Sequence, residues 1–212
     1  MAVRVDLNIS LDGFATTTDA TPDNPFGLDW GRLVEAYTAT RTFRERVLHE
    51  SSGEGTTGVD DKYAAAYFEG IGAEIMGAGM FGLHNFPDDP EWRGWWGDEP
   101  PFHVPVFVLT HKPRPAITVA DTTFTFIDAS PDAALGRAVE AAHGKDVRIG
   151  GGPTTARAFL KAGLVDRLHV AITPILLGRG IRLWDELRGL ENDYTVTSET
   201  AESGIIHVAF SR

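Results

Sequence analysis

The sequence predicts an α/β protein with a mixed, mostly parallel sheet, helices on both faces of the sheet and a C-terminal antiparallel hairpin. Apolar residues recur with period two from Val3 to Leu11, which is typical of a strand. Strand-like and helix-like segments alternate from Val104 to Ile172, as in parallel sheets covered by helices. Two β-branched runs, Tyr194 to Thr200 and Ile205 to Phe210, flank the turn Glu202-Ser203-Gly204 and therefore predict a terminal hairpin.

Helical spacing begins early in the chain. It runs from Trp30 to about His49 and predicts the first helix. Residues 51–61 have the Ser, Gly, Thr and Asp composition of a loop, and a short helical pattern follows through Tyr63 and Phe68. The run Ala73 to Met76 then predicts a short strand.

A segment rich in tryptophan and proline comes next. From His84 to Phe102 it contains four prolines and three tryptophans and shows no period, so it predicts a long loop. Two interpretations of its Trp92 to Gly97 motif remain open. It is either a lid over a flat heterocycle or an aromatic plug in a subunit interface.

The second half of the chain is more regular. Ser130 and Pro131 suit the N-cap and first position of a helix, and Gly144 suits its end. A further helix is predicted from Thr154 to Ala162, closed by Gly163. The predicted strands of this half are Val104–Thr110, Thr123–Ile127, Val147–Ile149 and Leu168–Ile172.

Composition limits the class of protein. The 212 residues predict one domain that spans residues 1–212. A formal net charge of −11 disfavours nucleic acids and anionic membranes as partners. Cysteine is absent, which fits a cytoplasmic location, and no apolar run is long enough for a membrane span. The seven histidines have no ligand spacing, so no metal site is predicted.

Glycines form the first candidate site. Gly77 to Gly82 matches the pattern G-x-G-x-x-G after a strand, as in dinucleotide-binding folds. Pro87 and Pro90 interrupt the helix and second strand that such a unit requires. The glycines therefore have a simpler interpretation, in which they let a helix begin close to a strand.

A second glycine cluster is better placed. Gly150, Gly151 and Gly152 lie between a predicted strand and a helix that begins near Pro153. Unpaired backbone N–H groups and the helix dipole favour an anion at such a helix start. The hydroxyls of Thr154 and Thr155 would add donors, so the sequence predicts a phosphate loop here; the alternative is a tight turn without a ligand.

The order of motifs resembles a known family. The stretch Ile149 to Leu187, with L-L-G-x-G at Leu176 to Gly180, is similar to the C-terminal part of the dihydrofolate reductase-like superfamily, in its riboflavin-pathway pyrimidine reductase branch. Ile9 to Phe14 resembles the first strand and S-x-D-G turn of that branch. Ile75 to Met80 resembles its strand that ends in M-G and leads into a helix, and Val106 to Lys112 resembles its next strand, which ends in V-L-T. The resemblance spans nearly the whole chain.

The resemblance implies an NADPH-dependent hydride transfer with the cofactor across the carboxyl ends of the strands. The second glycine cluster would contact the diphosphate and the nicotinamide ribose. The first glycine cluster would approach the diphosphate from the other side. The segment Thr110 to Lys112, after the strand that begins near Val106, would contact the adenosine ribose phosphate. The implied cofactor-binding residues are Gly77, Ala78, Gly79, Met80, Thr110, His111, Lys112, Gly150, Gly151, Gly152, Pro153, Thr154 and Thr155.

Two features of the sequence bear on the expected binding of NADPH: a small basic cluster, and two departures from the family pattern. His111, Lys112 and Arg114 form a small basic cluster that suits a 2′-phosphate, or alternatively a solvated turn. Dihydrofolate reductases have Arg and Thr where this chain has Ala78 and Met80, so one charged phosphate contact is missing.

Hydride transfer builds negative charge on the acceptor, so a proton donor is needed. The catalytic candidates are Asp12, in the S-x-D-G turn, and Glu35, on the first helix; Asp29 lies at the start of that helix. Each candidate has an alternative role: Asp12 would stabilise its own turn and Glu35 would be an exposed helix carboxylate.

The expected function is reduction of a small heterocycle, with a 5-amino-6-(5-phosphoribosylamino)uracil reductase-like activity first and a homodimer as the expected assembly. The alternatives are a dihydrofolate- or pteridine-reductase-like enzyme and a non-catalytic nucleotide-binding module. The riboflavin-pathway reductases use arginines before the M-G strand to hold the substrate phosphate, and the run Ala64 to Glu74 contains none.

Overall fold

The structure is a computed structural model that describes residues 1–16, 18–21, 23–86 and 89–212. A nine-stranded sheet organises these residues. A two-stranded sheet of β2 and β9 lies beside it. The strands are β1 (Val3–Ser10), β2 (Phe14–Thr16), β3 (Ile71–Gly77), β4 (Val106–Leu109), β5 (Ile117–Val119), β6 (Thr122–Ile127), β7 (Asp146–Gly151), β8 (Arg167–Thr173), β9 (Ile181–Arg182), β10 (Thr195–Thr200) and β11 (Ile206–Ser211).

The strand order of the large sheet is β10-β11-β8-β1-β7-β3-β4-β6-β5. The six strands from β8 to β6 are mutually parallel, and β10, β11 and β5 add antiparallel pairs at the two edges. The predicted mixed sheet with a C-terminal hairpin is therefore confirmed. Parallel strands end at the same edge, so the segments that follow β1, β3, β4 and β7 all lie along one side of the sheet.

Six helices accompany the strands within the described residues. Helices α5 and α6 pack on one face of the sheet, and α1 and α3 lie toward the other. The helices are α1 (Trp30–Thr38), α2 (Arg41–Arg46), α3 (Val59–Ala66), α4 (Ala78–Phe81), α5 (Pro131–Ala141) and α6 (Pro153–Lys161). None of these is long and apolar enough to cross a membrane.

Alternation along the strands produces two different faces. Odd-numbered residues of β1, such as Val5 and Ile9, join the main apolar core under α5 and α6. The opposite face carries two smaller apolar clusters, one around Phe81 and Phe124 and one around Ile205. Buried polar residues lie among the strands of this second face, and they include Asp6, Glu74, Arg148 and His169.

Two element predictions were wrong in detail, and three short strands were missed. The predicted first helix is divided because buried Thr40 ends one helix and caps the next, accepting from Phe43 N at 3.2 Å. Gly150 and Gly151 belong to β7 rather than to a turn. The short strands β2, β5 and β9 were not predicted, because runs of two or three residues carry too little periodicity.

Other predictions of local structure were confirmed. Ser130 caps α5 by accepting from Ala133 N at 3.3 Å, with Pro131 in the first turn. The hairpin strands β10 and β11 are joined through residues 201–205, where Gly204 has a φ of 87°. The described residues of the tryptophan segment, 84–86 and 89–102, form neither helix nor strand; Pro87 lies outside the described residues.

Candidate functional site

The carboxyl ends of β7, β3 and β4 lie side by side and form the centre of the candidate site. Gly77 pairs with Leu109 across β3 and β4, and Met76 pairs with Gly151 across β3 and β7. The segments that were predicted to contact a cofactor therefore begin at adjacent strand ends. Thr110 continues this row, and its backbone N–H donates to Ile127 O at 2.9 Å.

The first glycine cluster fills a packing role. A Cβ on Gly77 would overlap the Thr155 hydroxyl, so this glycine lets β3 approach the first turn of α6. A Cβ on Gly79 would stand 2.9 Å from Nδ1 of His84. Helix α4 has only four residues and ends at Gly82, whose φ is 99°. The structure therefore favours the close-packing interpretation of Gly77 and Gly79. Contact of Gly77, Ala78, Gly79 and Met80 with a cofactor stays a prediction.

The second glycine cluster combines packing and open space. A Cβ on Gly150 would overlap a carboxylate oxygen of Glu74. Gly151 has a φ of 128°, and the sulfur of Met80 would stand 3.5 Å from a Cβ placed there. Gly152 is different, because a Cβ on it would meet no atom within 4 Å. Only at Gly152, within this cluster, does the missing side chain leave room for a ligand.

The N-terminus of α6 faces this open space. Gly152 occupies the N-cap position, no side chain caps it within the described structure, and buried Pro153 is the first helical residue. Thr154 is exposed and Thr155 is half-buried against Gly77. Unpaired N–H groups of a first turn bind anions, so the diphosphate of a dinucleotide fits at this position. Approach of a phosphate to the backbone requires a residue without a side chain, and Gly152 supplies it.

The basic cluster after β4 is smaller than predicted. His111 is 98% exposed, with its Nδ1 3.2 Å from Asp128 Oδ1, and Lys112 is exposed. Arg114 was expected to join them, but its guanidinium donates to the carbonyls of Asp89 and Trp92. It also lies 4.5 Å from the ring centre of Phe126. Arg114 therefore holds the tryptophan segment, and only His111 and Lys112 of the predicted cluster are exposed. Their contact with a phosphate stays a prediction.

The tryptophan segment packs against its own chain. Trp92 donates to Phe81 O at 2.8 Å, and Trp96 packs on Phe102 and Phe124. Trp95 contacts Phe26 at a ring-centre distance of 5.0 Å. The three rings thus cover α4 and the β4–β6 part of the sheet. The lid and subunit-plug interpretations stay predictions.

Asp12 is held in a network at the end of β1. Its carboxylate accepts from the Ser10 hydroxyl at 2.6 Å, from Leu177 N at 3.1 Å and from Gly178 N at 2.8 Å. The Ser10 hydrogen bond and these two N–H donors lower the pKa of Asp12 to about 2. Such a group is ionised at neutral pH, so the geometry favours the structural role, in which Asp12 joins the turn after β1 to the loop after β8. Its catalytic role stays a prediction.

Glu35 lies on the exposed side of α1, whose inward residues include Leu33 and Val34. No contact in the described structure joins it to Asp12 or to the glycine clusters. Asp29, at the start of the same helix, pairs with Arg32 at 2.7 Å. The catalytic role of Glu35 also stays a prediction, and its exposure fits the alternative of an ordinary surface carboxylate.

A set of buried charges was missed by the sequence interpretation. We call it the polar array. It consists of six residues, each at most 9% exposed, that follow one another across the sheet and onto α3. Alternate polar residues on β1 were the available signal, but a strand with one solvent-facing side has the same pattern. The array consists of Glu74 on β3, Arg148 on β7, Asp6 on β1, His169 on β8, His207 on β11 and Asp60 on α3.

The centre of the array contains one guanidinium between two carboxylates. Arg148 Nη1 lies 3.2 Å from Glu74 Oε2, and Arg148 Nε lies 3.4 Å from Asp6 Oδ2. Burial raises the pKa of Glu74 despite the nearby guanidinium. Burial also acts to raise the pKa of Asp6, but His169 and Arg148 outweigh it, so that pKa is lowered. Because Glu74 contacts Gly150, the array reaches the second glycine cluster.

Comparison with known proteins agrees with this fold. The family model of the RibD C-terminal domain matches residues 1–205, so the chain belongs to the RibD C-terminal domain family. That family lies in the riboflavin-pathway reductase branch of the dihydrofolate reductase-like fold, which confirms the resemblance found in the sequence. The described residues contain no group of three or more His, Asp or Glu side chains arranged to hold a metal ion.

Individual relatives are distant. A candidate riboflavin biosynthesis protein from Shewanella sp. PV-4 is 22% identical, with a TM-score of 0.62 and coverage of 100% of this chain and 99% of that one. RibD of Acinetobacter baumannii is 16% identical with a TM-score of 0.53; the match covers 99% of this chain but only 57% of RibD. The uncharacterised protein YyaP of Bacillus subtilis (strain 168) is 31% identical over 67 residues, 32% of this chain and 36% of YyaP. These similarities establish the fold.

Proposed function

We propose that this protein is an NADPH-dependent reductase of a small heterocycle, with a substrate of the 5-amino-6-(5-phosphoribosylamino)uracil type. One observation carries the proposal. The open space over Gly152 lies at the uncapped start of α6, beside the ends of β3 and β4, in a chain of the RibD C-terminal domain family. Bound NADPH would supply a hydride from its nicotinamide ring.

The residues of this chain would hold the cofactor at three points. Backbone N–H groups of Thr154 and Thr155 would bind the diphosphate, with Gly152 allowing close approach. His111 and Lys112 would pair with the 2′-phosphate, since both are exposed at the end of β4. Gly77, Ala78, Gly79 and Met80 would shape the opposite wall, where Met80 lies against Gly150 and Gly151.

Titration of intrinsic tryptophan fluorescence with NADPH and NADH tests the proposal, because the chain has five tryptophans. We expect quenching by NADPH at lower concentration than by NADH. Gly152→Ala should weaken NADPH binding about tenfold, about 1.4 kcal/mol, since its methyl group would occupy the open space. Gly136→Ala is the matched control, because a Cβ there also meets no atom and lies on α5. Absence of quenching up to about millimolar NADPH would contradict the proposal.

A second candidate is a nucleotide-binding module without turnover. The observation that favours it is the replacement of charged or hydroxyl side chains by Ala78 and Met80, with the Met80 side chain placed against the second glycine cluster. This module would bind NADPH but would not oxidise it with pyrimidine, pteridine or quinone acceptors. A loss of NADPH absorbance in the presence of any of these acceptors would show turnover, and it would therefore favour the reductase over the binding module.

The expected homodimer also belongs to this proposal. Light scattering of the purified protein should give twice the 23.0 kDa mass of one chain. A monomeric mass at about micromolar concentration would remove the dimer from the proposal. Deletion of residues 91–97 separates the subunit-plug interpretation of the tryptophan segment from the lid interpretation, because only loss of a plug would change the mass.

A further inference from the structure

Two histidines of the polar array form a hydrogen-bonded pair between β8 and β11. His169 Nε2 lies 3.0 Å from His207 Nδ1, and the angle between the planes of the two rings is 11°. His207 Nε2 lies 2.9 Å from Asp60 Oδ1 on α3. The ring of Tyr63, one turn further along α3, is parallel to both imidazoles at 4.2 Å. The histidine pair is therefore one of the contacts that join α3 to the sheet, beside the hydrogen bonds that Lys62 and Tyr63 donate to Glu199 on β10.

The partners determine where the protons lie. An ionised Asp60 only accepts, so His207 donates to it through Nε2. Nδ1 of a neutral His207 is then the acceptor, and His169 donates through Nε2. This arrangement holds whether or not the other nitrogen of His169 carries a proton. One added proton can be accommodated, because His169 Nδ1 lies 3.6 Å from Asp6 Oδ1, and a neutral His169 that carries its proton there can accept from His207 at Nε2. The hydrogen bond fails when both imidazoles are protonated, because two N–H groups then point at each other.

The contact can yield locally. A cavity of about 10 Å³ lies beside His207 and Asp60 and is bordered by Asn8, Tyr37 and Tyr67. That volume is about the room required by one water molecule. Water at this position would solvate Asp60 and His207 once their contact with the sheet loosened.

We propose that the His169–His207 pair is an acid-sensitive latch that holds α3 on the sheet. The latch is closed while at least one of the two imidazoles is neutral, and protonation of both opens it. The device goes beyond the proposed reaction and does not depend on it.

The charges around His207 favour the closed state at neutral pH. Burial is the largest influence and lowers the pKa of His207, and His169 lowers it further, whereas Asp60 and Glu199 raise it. A folded-state pKa below the ordinary 6.5 means that the unfolded chain binds more protons. The stabilisation is therefore present above about pH 6.5 and is lost as the pH falls through the lower folded-state pKa.

Other titratable groups face the pair, so its contribution has to be isolated by substitution. The raised pKa of Glu74 acts in the opposite direction, since stability from that group is lost as the pH rises. The groups that face the pair from the surrounding elements are Asp6, Glu74 and Arg148 on the sheet, Glu199 on β10, Asp60, Lys62, Tyr63 and Tyr67 on and after α3, and Tyr37 on α1.

Hydrogen exchange of the full chain tests the latch. Between about pH 7.5 and about pH 5.5, across the titration range of histidine, amides of α3 should lose about tenfold or more of their protection after correction for the intrinsic rate. Amides of α5, on the opposite face, should lose less. His169→Gln should abolish the extra loss in α3, because the amide can donate to neutral His207 or turn and accept from protonated His207. His111→Gln, at a side chain 98% exposed, should keep the wild-type response.

Two results would overturn the latch: equal loss of protection in α3 and α5, or an acid response in His169→Gln as large as in the wild type. If His169→Gln does not fold, nitrogen NMR of the wild-type imidazoles replaces it. We then expect α3 to lose its protection as both imidazoles become protonated. Protonation of both imidazoles with α3 fully protected would equally refute the proposal.

Discussion

Gly150 on β7 and Glu74 on β3 lie so close that any Cβ on Gly150 would overlap the buried Glu74 carboxylate. The glycine is therefore required by the neighbouring strand rather than by a ligand. Arg148, two residues before Gly150, holds that carboxylate in place. The glycine cluster and the polar array are thus one packed unit.

Gly150→Ala should destabilise the fold, because a methyl group would displace the buried Glu74 carboxylate from its ion pair with Arg148. Overpacking of this kind costs about 1–3 kcal/mol in the free energy of unfolding, measured by urea denaturation. Gly152→Ala is the matched control, since a Cβ there meets no atom. Equal stability of the two variants would show that Glu74 can rearrange.

Arg148→Met should be strongly destabilising, because it leaves the carboxylates of Asp6 and Glu74 buried without their cation. Removal of one partner from a buried ion pair costs about 3–5 kcal/mol. The loss should shrink as the pH falls, because Glu74, whose pKa is raised by burial, then becomes neutral. Arg167→Met, at an exposed position of β8, provides the control in the same urea titrations. A deficit that does not vary with pH would contradict this charge assignment.

Asp12→Asn should loosen the loop after β8, because an amide replaces the charge that accepts from Leu177 N and Gly178 N. Hydrogen exchange at these two amides should accelerate at neutral pH. The pKa of Asp12 is lowered to about 2, so its contribution is present above the ordinary 3.8 and is lost as the pH falls toward 2. The difference between wild type and Asp12→Asn should therefore vanish in acid. If Asp12 instead serves as the proton donor, the variant would lose turnover while these amides stay protected.

Lys112→Ala and Arg114→Lys should separate two roles of neighbouring cations. Lys112→Ala is expected to weaken NADPH binding roughly tenfold while leaving NADH unchanged, as loss of a 2′-phosphate contact requires. Arg114→Lys should lower the melting temperature and alter tryptophan emission, because Lys cannot keep both carbonyl bonds and the contact with Phe126. Equal effects of both variants on the preference for NADPH over NADH would mean that Arg114 leaves the tryptophan segment to bind the phosphate.

Much of the fold could be predicted from the sequence because its signals are local. Period two in β1, the Ser130 cap of α5 and the turn at Gly204 each depend on a few neighbouring residues. The role of each glycine could not be predicted in this way, since Gly77 and Gly150 are explained by Thr155 and Glu74 on other elements. The polar array was missed for the same reason.

The sequence predicted which segments form the candidate site, but it did not predict which of their side chains are exposed there. The family resemblance correctly brought the ends of β3, β4 and β7 together. It did not distinguish Arg114, which turns inward to Phe126, from Lys112, which stays exposed. Both are basic residues of one short turn, and only the packing of the tryptophan segment separates them.

The polar array separates the two small apolar clusters of the second face, and this separation affects how cooperatively that face unfolds. Among the described residues, the cluster around Phe81 and Phe124 and the cluster around Ile205 are separate and lie on either side of the array. Each cluster is thus a candidate for an independent unit of partial unfolding, or foldon. Denaturant-dependent hydrogen exchange should then resolve two subglobal openings on this face, whereas β1 and α5, on the continuous core, should exchange only by global unfolding.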